Sequence, residues 1–273
     1  MRFESIINRV KSIPPLPESV IRVEKFFARG DSDLNELVKI IKSDSVLTAD
    51  LLALVNSPLY SFSKNIVSVH QAVTLFGMRS IRGFVLSTIS KSSFKLDMSP
   101  YNITNQEFQY ISSLQSIMIF QWYMSINIEQ ANLLIPIAFL METGKIIIAN
   151  EVSNSDYKGE FSRMIAEDDS ISETERLFTG LSSAEVTALL FEHWNFNDSF
   201  VKIIKGSDNL SDIDEEYRSY SLALDIVKTA INIREVMTED SIKSAIYKLE
   251  KNGLDVGKFK RTAQRMESKL EKL

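Results

Sequence analysis

The sequence has no cysteine, and that absence excludes disulfide frameworks, thiolate catalysis and zinc–sulfur centres. Histidine is nearly as scarce. Only His70 and His193 occur, so a multi-histidine metal site or phosphorelay chemistry would have to be built from those two. Glycine and proline number 9 and 6, and four of the six prolines precede residue 60, which disfavours turn-rich sandwiches and barrels. The longest uncharged apolar run, LLIPIAFLM at 133–141, falls far short of the roughly 20 residues that span a bilayer. The first residues, MRFESIINRVKSIPPLP, lack the apolar centre of a signal peptide. A cytoplasmic chain without membrane insertion is expected. A net charge of −5 argues against broad nucleic-acid binding, which needs a clustered basic surface. No P-loop, dinucleotide fingerprint or nucleophile elbow occurs.

What the 273 residues do contain is 44% hydrophobic side chains, enough for a substantial core, arranged with helical spacing. Phe3, Ile6, Ile7 and Val10 lie at i, i+3, i+4, i+7, and IPPLP stops that helix. Pro17 opens a second, which Gly30 closes. Asp33 to Glu36, Ser68 to Gln71, Thr104 to Glu107, Ser172 to Glu175 and Ser182 to Glu185 each read as box-like helix starts. Gly77 reads as a left-handed cap between helices at about 69–76 and 78–91. Long helices are expected from Thr104 to about Ser125 and over about 129–142, with Pro136 absorbed by a kink or by packing. A continuing helix over 144–151, a loop over 153–159, and helices from about Asp198 and at about 214–233, 240–251 and 256–271 complete an all-α chain. The aperiodic stretch 92–103 with Pro100 marks a subdomain joint. The expected division is 1–95, 100–210 and 211–273.

Several features invite a chemical reading and also a plain one. Residues VTLFGMRSIRGFVL match a helix-turn-helix with Arg79 and Arg82 at the head of the second helix, yet helix, glycine, helix is also a common packing unit. His70 stands in a first helical turn, as a solvent-facing or capping residue would. His193, between Glu192 and Trp194, reads as partly buried structure, because adjacent helical residues point about 100° apart and chelate poorly. Met118, Met124, Met141 and Met164 fall at or near core positions. The acidic runs at 167–169 and 212–216 lack calcium-loop spacing. In LMETGKI (140–146), Gly144 interrupts a helix and Lys145 places a cation near helix carbonyls.

Three stretches, IPPLPESVIRVEKFF, LVKIIKSDSVLTADLLALVNSPLYSF and SVHQAVTLFGMRSIRGFVLST, resemble in order the N-terminal half of the bacterial HDOD family, the HD-related output domains. The family's Asp-Pro-x-Leu-Thr helix start appears here as Asp44 to Thr48, its Asn-Ser before an aromatic as Asn56, Ser57 and Tyr60, and its Ala-to-Arg unit as Ala72 to Arg82, with Phe76 for the usual leucine. The likeness covers 12–90 and continues more weakly to about 210.

The resemblance implies an HD-like helical bundle behind an N-terminal helical part, and descent from metal phosphohydrolases. In that superfamily a histidine, a His-Asp pair and a later aspartate hold hard divalent cations. The corresponding positions here fall at Ser112 and at Met141-Glu142, with Asp225 as a remaining carboxylate. A thioether and one or two carboxylates are too few hard donors for a tight site. The expectation is therefore a non-catalytic regulatory module of bacterial signal transduction in stand-alone form, with no metal or cofactor, binding another protein or responding to a small ligand. An exposed connector of Asn56, Ser57, Tyr60 and Phe62 together with Arg79 and Arg82 is the expected interaction surface, with helix capping as its plain reading. The competing expectation is a divergent metal-dependent phosphohydrolase or phosphodiesterase using Glu142 and Asp225 with Mg²⁺. A DNA-binding reading through Arg79 and Arg82 is the third.

Overall fold

The computed structural model describes residues 2–56, 65–88, 96–168 and 170–271. Among these residues the regular elements are helices, with a single isolated antiparallel bridge between Ile231 and Val236. Helices α1 (Arg2–Ser12), α2 (Glu18–Ala28), α3 (Leu34–Lys42), α4 (Ser45–Val55), α5 (Val69–Phe76) and α6 (Met78–Ser87) come first. A 3₁₀ turn, Ser99–Tyr101, leads to α7 (Asn105–Tyr123), α8 (Ile128–Leu140), α9 (Thr143–Val152), α10 (Lys158–Glu167), α11 (Ile171–Thr179), α12 (Ser183–His193) and α13 (Asp198–Gly206). After a second 3₁₀ turn, Leu210–Asp212, the chain ends in α14 (Glu215–Ala230), α15 (Glu239–Lys251) and α16 (Val256–Leu270).

The centre is set by helices whose apolar residues are not confined to one face. A helix that is hydrophobic all round must be surrounded by protein. That condition holds for α7, α8 and α9, which bury Phe108, Ile111, Leu114 and Trp122, then Ala131 and Leu134 through Leu140, then Ile146, Ile147 and Ile148. The stretch Ile128–Val152 is apolar and long enough to cross a membrane by composition, yet 89% of its most apolar window is buried inside the fold, as a core helix would be. Helix α7 pairs with α8, α8 with α6, α9 with α12, and α13, α14 and α15 pack in succession. The buried side chains from Ile6 to Met266 form one continuous cluster.

Two close approaches depend on glycine. A Cβ on Gly83 of α6 would sit 3.1 Å from the Pro136 ring, so the missing side chain gives space to the proline that interrupts α8. At Gly144 a Cβ would fall 2.1 Å from the Ser183 carbonyl oxygen, which lets the start of α9 touch the start of α12.

Local differences from the sequence expectations are instructive. The boxes at Thr104 and Ser182 form in both directions, with Glu107 and Glu185 returning to the cap amides. Asp33 and Ser68 also cap their helices, but Glu36 turns instead to Arg29 and Gln71 to the Val67 amide. The expected start at Ser172 is displaced: Ser170 caps α11, and Glu175 is drawn into the interior. Gly77 has φ +79° as expected, but with ψ 153° it is extended rather than left-handed helical. Helix α10 was not expected; residues 158 and 159 open it where a loop was read. The outer part of the expected 78–91 helix lies outside the described residues.

Candidate functional site

Glu142 is the N-cap of α9 and Lys145 stands in its first turn, three residues on and therefore on the same face. Both are buried in apolar surroundings, with 2% and 4% of their surface exposed. Isolated charges cannot persist there, so each must be paired. The Lys145 ammonium lies 2.8 Å from Glu142 Oε2 and 2.9 Å from Glu175 Oε1 of α11, and donates at 2.7 Å to the Ser183 hydroxyl. Glu175, fully buried, accepts further hydrogen bonds from the Ser183 amide at 2.6 Å and from the Tyr101 hydroxyl at 3.0 Å. The Tyr101 ring lies 5.6 Å from the ammonium.

The joint between α9 and α12 is secured around the same point. Thr187 Oγ1 accepts from the Gly144 amide at 2.9 Å and lies 2.7 Å from the Ser183 carbonyl as its donor. A second ion pair stands beside the first: Lys228 of α14 binds Asp208 Oδ1, just past α13. From α7, Gln115 donates to the Ile231 carbonyl at 2.8 Å and more weakly to Glu142 at 3.4 Å. Three carboxylates thus face two ammonium groups.

Burial works against every charge in the cluster, and the partners win. It pushes Lys145 down, but Glu142 and Glu175 raise it above the usual lysine range. Burial pushes Lys228 down too, and Asp208 and Glu142 raise it. Burial raises Glu142, while Lys145 and Lys228 bring it below the ordinary carboxylate value. Asp208 is held down at about 2 against burial by Lys228, the nearby Ser182 hydroxyl and Lys145. Tyr101 is pushed well up by burial and by Glu175. At neutral pH Glu142, Lys145, Asp208 and Lys228 are therefore ionised and the Tyr101 phenol is neutral.

The cluster is the floor of a cavity of about 740 Å³. Glu142 and Asp225 both line it, and Asp225 accepts from Lys248 at 2.6 Å. Ser112 and Met141 are buried but do not line it. The Ser112 hydroxyl donates to the Phe108 carbonyl, and Met141 packs in the core. Among the described residues no three His, Asp or Glu side chains converge as cation ligands.

Of the residues expected to form an interaction surface, Asn56, Arg79 and Arg82 are among the described ones. Asn56 spends its side chain on Leu52 and Ile66, donating to both carbonyls at 2.8 Å and accepting from the Ile66 amide at 2.7 Å. Arg82 forms a two-pronged pair with Glu24, at 2.8 and 2.5 Å, and lies over the Phe27 and Phe200 rings. Arg79 is exposed. Ser57, Tyr60 and Phe62 lie outside the described residues. His193 donates from Nε2 to the Ile13 carbonyl and Trp194 from Nε1 to that of Pro14, which fastens the IPPLP segment to the end of α12. His70 is exposed.

Sequence reasoning passed over Lys228, took Glu175 for part of a capping box, and took Lys145 for a cation near helix ends. A signal was present in part. Lys145 is the one charge within GKIIIAN, and Lys228 interrupts LALDIVKTAIN, so each lysine in an otherwise core-facing helix called for an acid from elsewhere.

Comparison with known proteins is consistent with this architecture. The family model described as HDOD domain matches residues 13–210. A solved HDOD domain protein of unknown function from Geobacter sulfurreducens superposes with TM-score 0.72 at 16% identity, over 98% of this chain and 96% of that one. A candidate phosphohydrolase from Shewanella amazonensis gives 0.71 at 19% identity, over 97% and 98%. A candidate signal transduction protein from Marinobacter aquaeolei gives 0.70 at 18%, over 99% of this chain and 64% of that one. An uncharacterized Treponema pallidum protein is 31% identical over 83 residues, which are 30% of this chain and 16% of that protein. The chain therefore matches less than a fifth of that relative's length.

Proposed function

The chain belongs to the HDOD domain family, and from that premise we propose that it is a non-catalytic regulatory module of bacterial signal transduction, acting by binding another protein. The observation that carries this reading is the Lys145 ammonium between Glu142 and Glu175, at 2.8 and 2.9 Å. In the HD-related hydrolases that the chain resembles, the corresponding region gives carboxylate and imidazole donors to divalent cations. Here Met141 takes the place of the histidine, and Glu142 is neutralised by an ammonium on its own chain. A carboxylate already paired at contact distance offers little to Mg²⁺ or Mn²⁺. With no bound cation, no water is activated and no phosphoryl oxygen polarised.

The Marinobacter aquaeolei protein described as a candidate signal transduction protein shares the fold, which supports placing this chain in the same kind of role. The competing phosphohydrolase reading draws on the Shewanella amazonensis relative and on Glu142 and Asp225 sharing one cavity. One experiment separates them. Purified protein is analysed for Mn, Fe and Mg and assayed on bis(p-nitrophenyl) phosphate with each metal added. The regulatory reading expects no stoichiometric metal and no hydrolysis above buffer. Stoichiometric metal together with metal-dependent hydrolysis overturns it.

A further inference from the structure

The cavity above the charge cluster is larger than the cluster itself needs. Its volume of about 740 Å³ lies within the range of roughly 300–1,000 Å³ seen for small-molecule sites. Six carboxylates and four cationic side chains among the described residues line it. The cations are engaged. Lys145 is held by Glu142 and Glu175, Lys228 by Asp208, and Lys248 by Asp225, while Arg234 donates to the carbonyls of Ile165 and Asp168. The acceptors are not exhausted. Asp208, with 4% of its side chain exposed, uses Oδ1 for Lys228, and beyond the nearby Ser182 hydroxyl no donor is aligned on its Oδ2. Glu235 adds a further carboxylate to the wall.

This imbalance has a sign. A buried acceptor without a well-aligned donor is costly, and a ligand that brings N–H groups relieves the cost. An anion such as phosphate would find the cations of this wall already paired and a surplus of carboxylates around it. A bare divalent ion would find no three converging ligands. We infer that the cavity is a binding site for a small organic cation of the aliphatic amine class, one ammonium group donating to Asp208 Oδ2 at the floor and a second, spaced along the chain, facing Glu235. This assignment rests on the non-hydrolytic reading of the same pocket and names the kind of molecule to which the module responds.

Isothermal titration of the full chain with spermidine and with putrescine, at neutral pH and low salt, tests it. Saturable one-to-one binding of spermidine is expected, with inorganic phosphate giving no heat of binding. Asp208→Asn is expected to weaken spermidine at least tenfold. Glu235→Gln is expected to weaken it about threefold and does not disturb the buried pairs, so it decides the matter if Asp208→Asn fails to fold. Glu250→Gln, on the exposed face of α15, is expected to leave affinity unchanged. Absence of saturable spermidine binding, saturable phosphate binding, an unchanged affinity in Glu235→Gln, or an equal loss in Glu250→Gln overturns the assignment. Such a failure leaves the regulatory reading intact, whereas stoichiometric Mn²⁺ with phosphodiester hydrolysis overturns that reading itself.

Discussion

Lys145 shows how one residue can hold a buried cluster together. Its ammonium is neutralised by two buried carboxylates from different elements, so removing it strands both. Breaking a buried pair from one side costs about 3–5 kcal/mol. Lys145→Met is therefore expected to lower unfolding stability by about that amount in denaturant titrations, and adding Glu142→Gln and Glu175→Gln to recover much of it. The neighbouring Asp208–Lys228 pair gives a pH signature. Asp208 stays ionised in the fold down to about 2, whereas in the unfolded chain it takes up its proton near the ordinary value of about 3.9. Protonation then favours the unfolded state, so the stability contributed by Asp208 is complete above about pH 4 and is lost as pH falls towards 2. Denaturant midpoints measured from pH 7 to pH 2.5 should fall most steeply below pH 4, and the fall should be shallower in Asp208→Asn/Lys228→Met. Lys145 and Lys228, both raised, act at the other end: their contribution is present below the usual lysine value and is lost only as pH climbs through the higher folded ones.

Between elements, contact distance is decided by what side chains leave out. Gly144 brings α9 against α12, and only that approach lets the Ser183 amide and hydroxyl reach the cluster. Gly144→Ala puts a methyl group into the Ser183 carbonyl, which is backbone and cannot swing away. Overpacking of this kind costs about 1–3 kcal/mol or more, read as a lower thermal midpoint. Arg82 joins α6 to α2 through Glu24 and covers two aromatic rings. Hydrogen bonds to charged groups are worth about 1.5–3 kcal/mol, so Arg82→Ala should destabilise the chain, whereas exposed Arg79→Ala should shift stability by less than about 0.5 kcal/mol. Were the chain to read DNA through this helix, Arg79→Glu would abolish a salt-dependent affinity for duplex.

Over the whole molecule, the buried residues run without a break from α1 to α16. Fluorescence from Trp122, on α7, and from Trp194, at the end of α12, is expected to change at the same denaturant concentration as far-UV circular dichroism. Separate midpoints would show instead that the chain unfolds in parts.

Most of the helices could be read from the sequence because each carries its own signal: apolar spacing, a capping side chain, a stop at proline or glycine. The reading failed where a local signal had a rival. Ser172 to Glu175 has the pattern of a capping box, but Ser170 caps the helix and Glu175 answers a lysine thirty residues earlier. Helix α10 has only a modest apolar face, burying Phe161 and Ile165, so its period did not stand out beside the polar SNSDYKG. That a methionine precedes Glu142 was legible from its letter alone. The pairing of its carboxylate was not, because Glu142 with Lys145, Glu175, Asp208 and Lys228 come from four stretches that only packing brings together. The sequence by itself determined an all-helical chain with no cysteine and two histidines, since both are properties of composition and local spacing. Tertiary structure alone decided that the remaining acids are neutralised by ammonium groups, because the energy of a buried charge depends on which distant side chain lies within 3 Å of it.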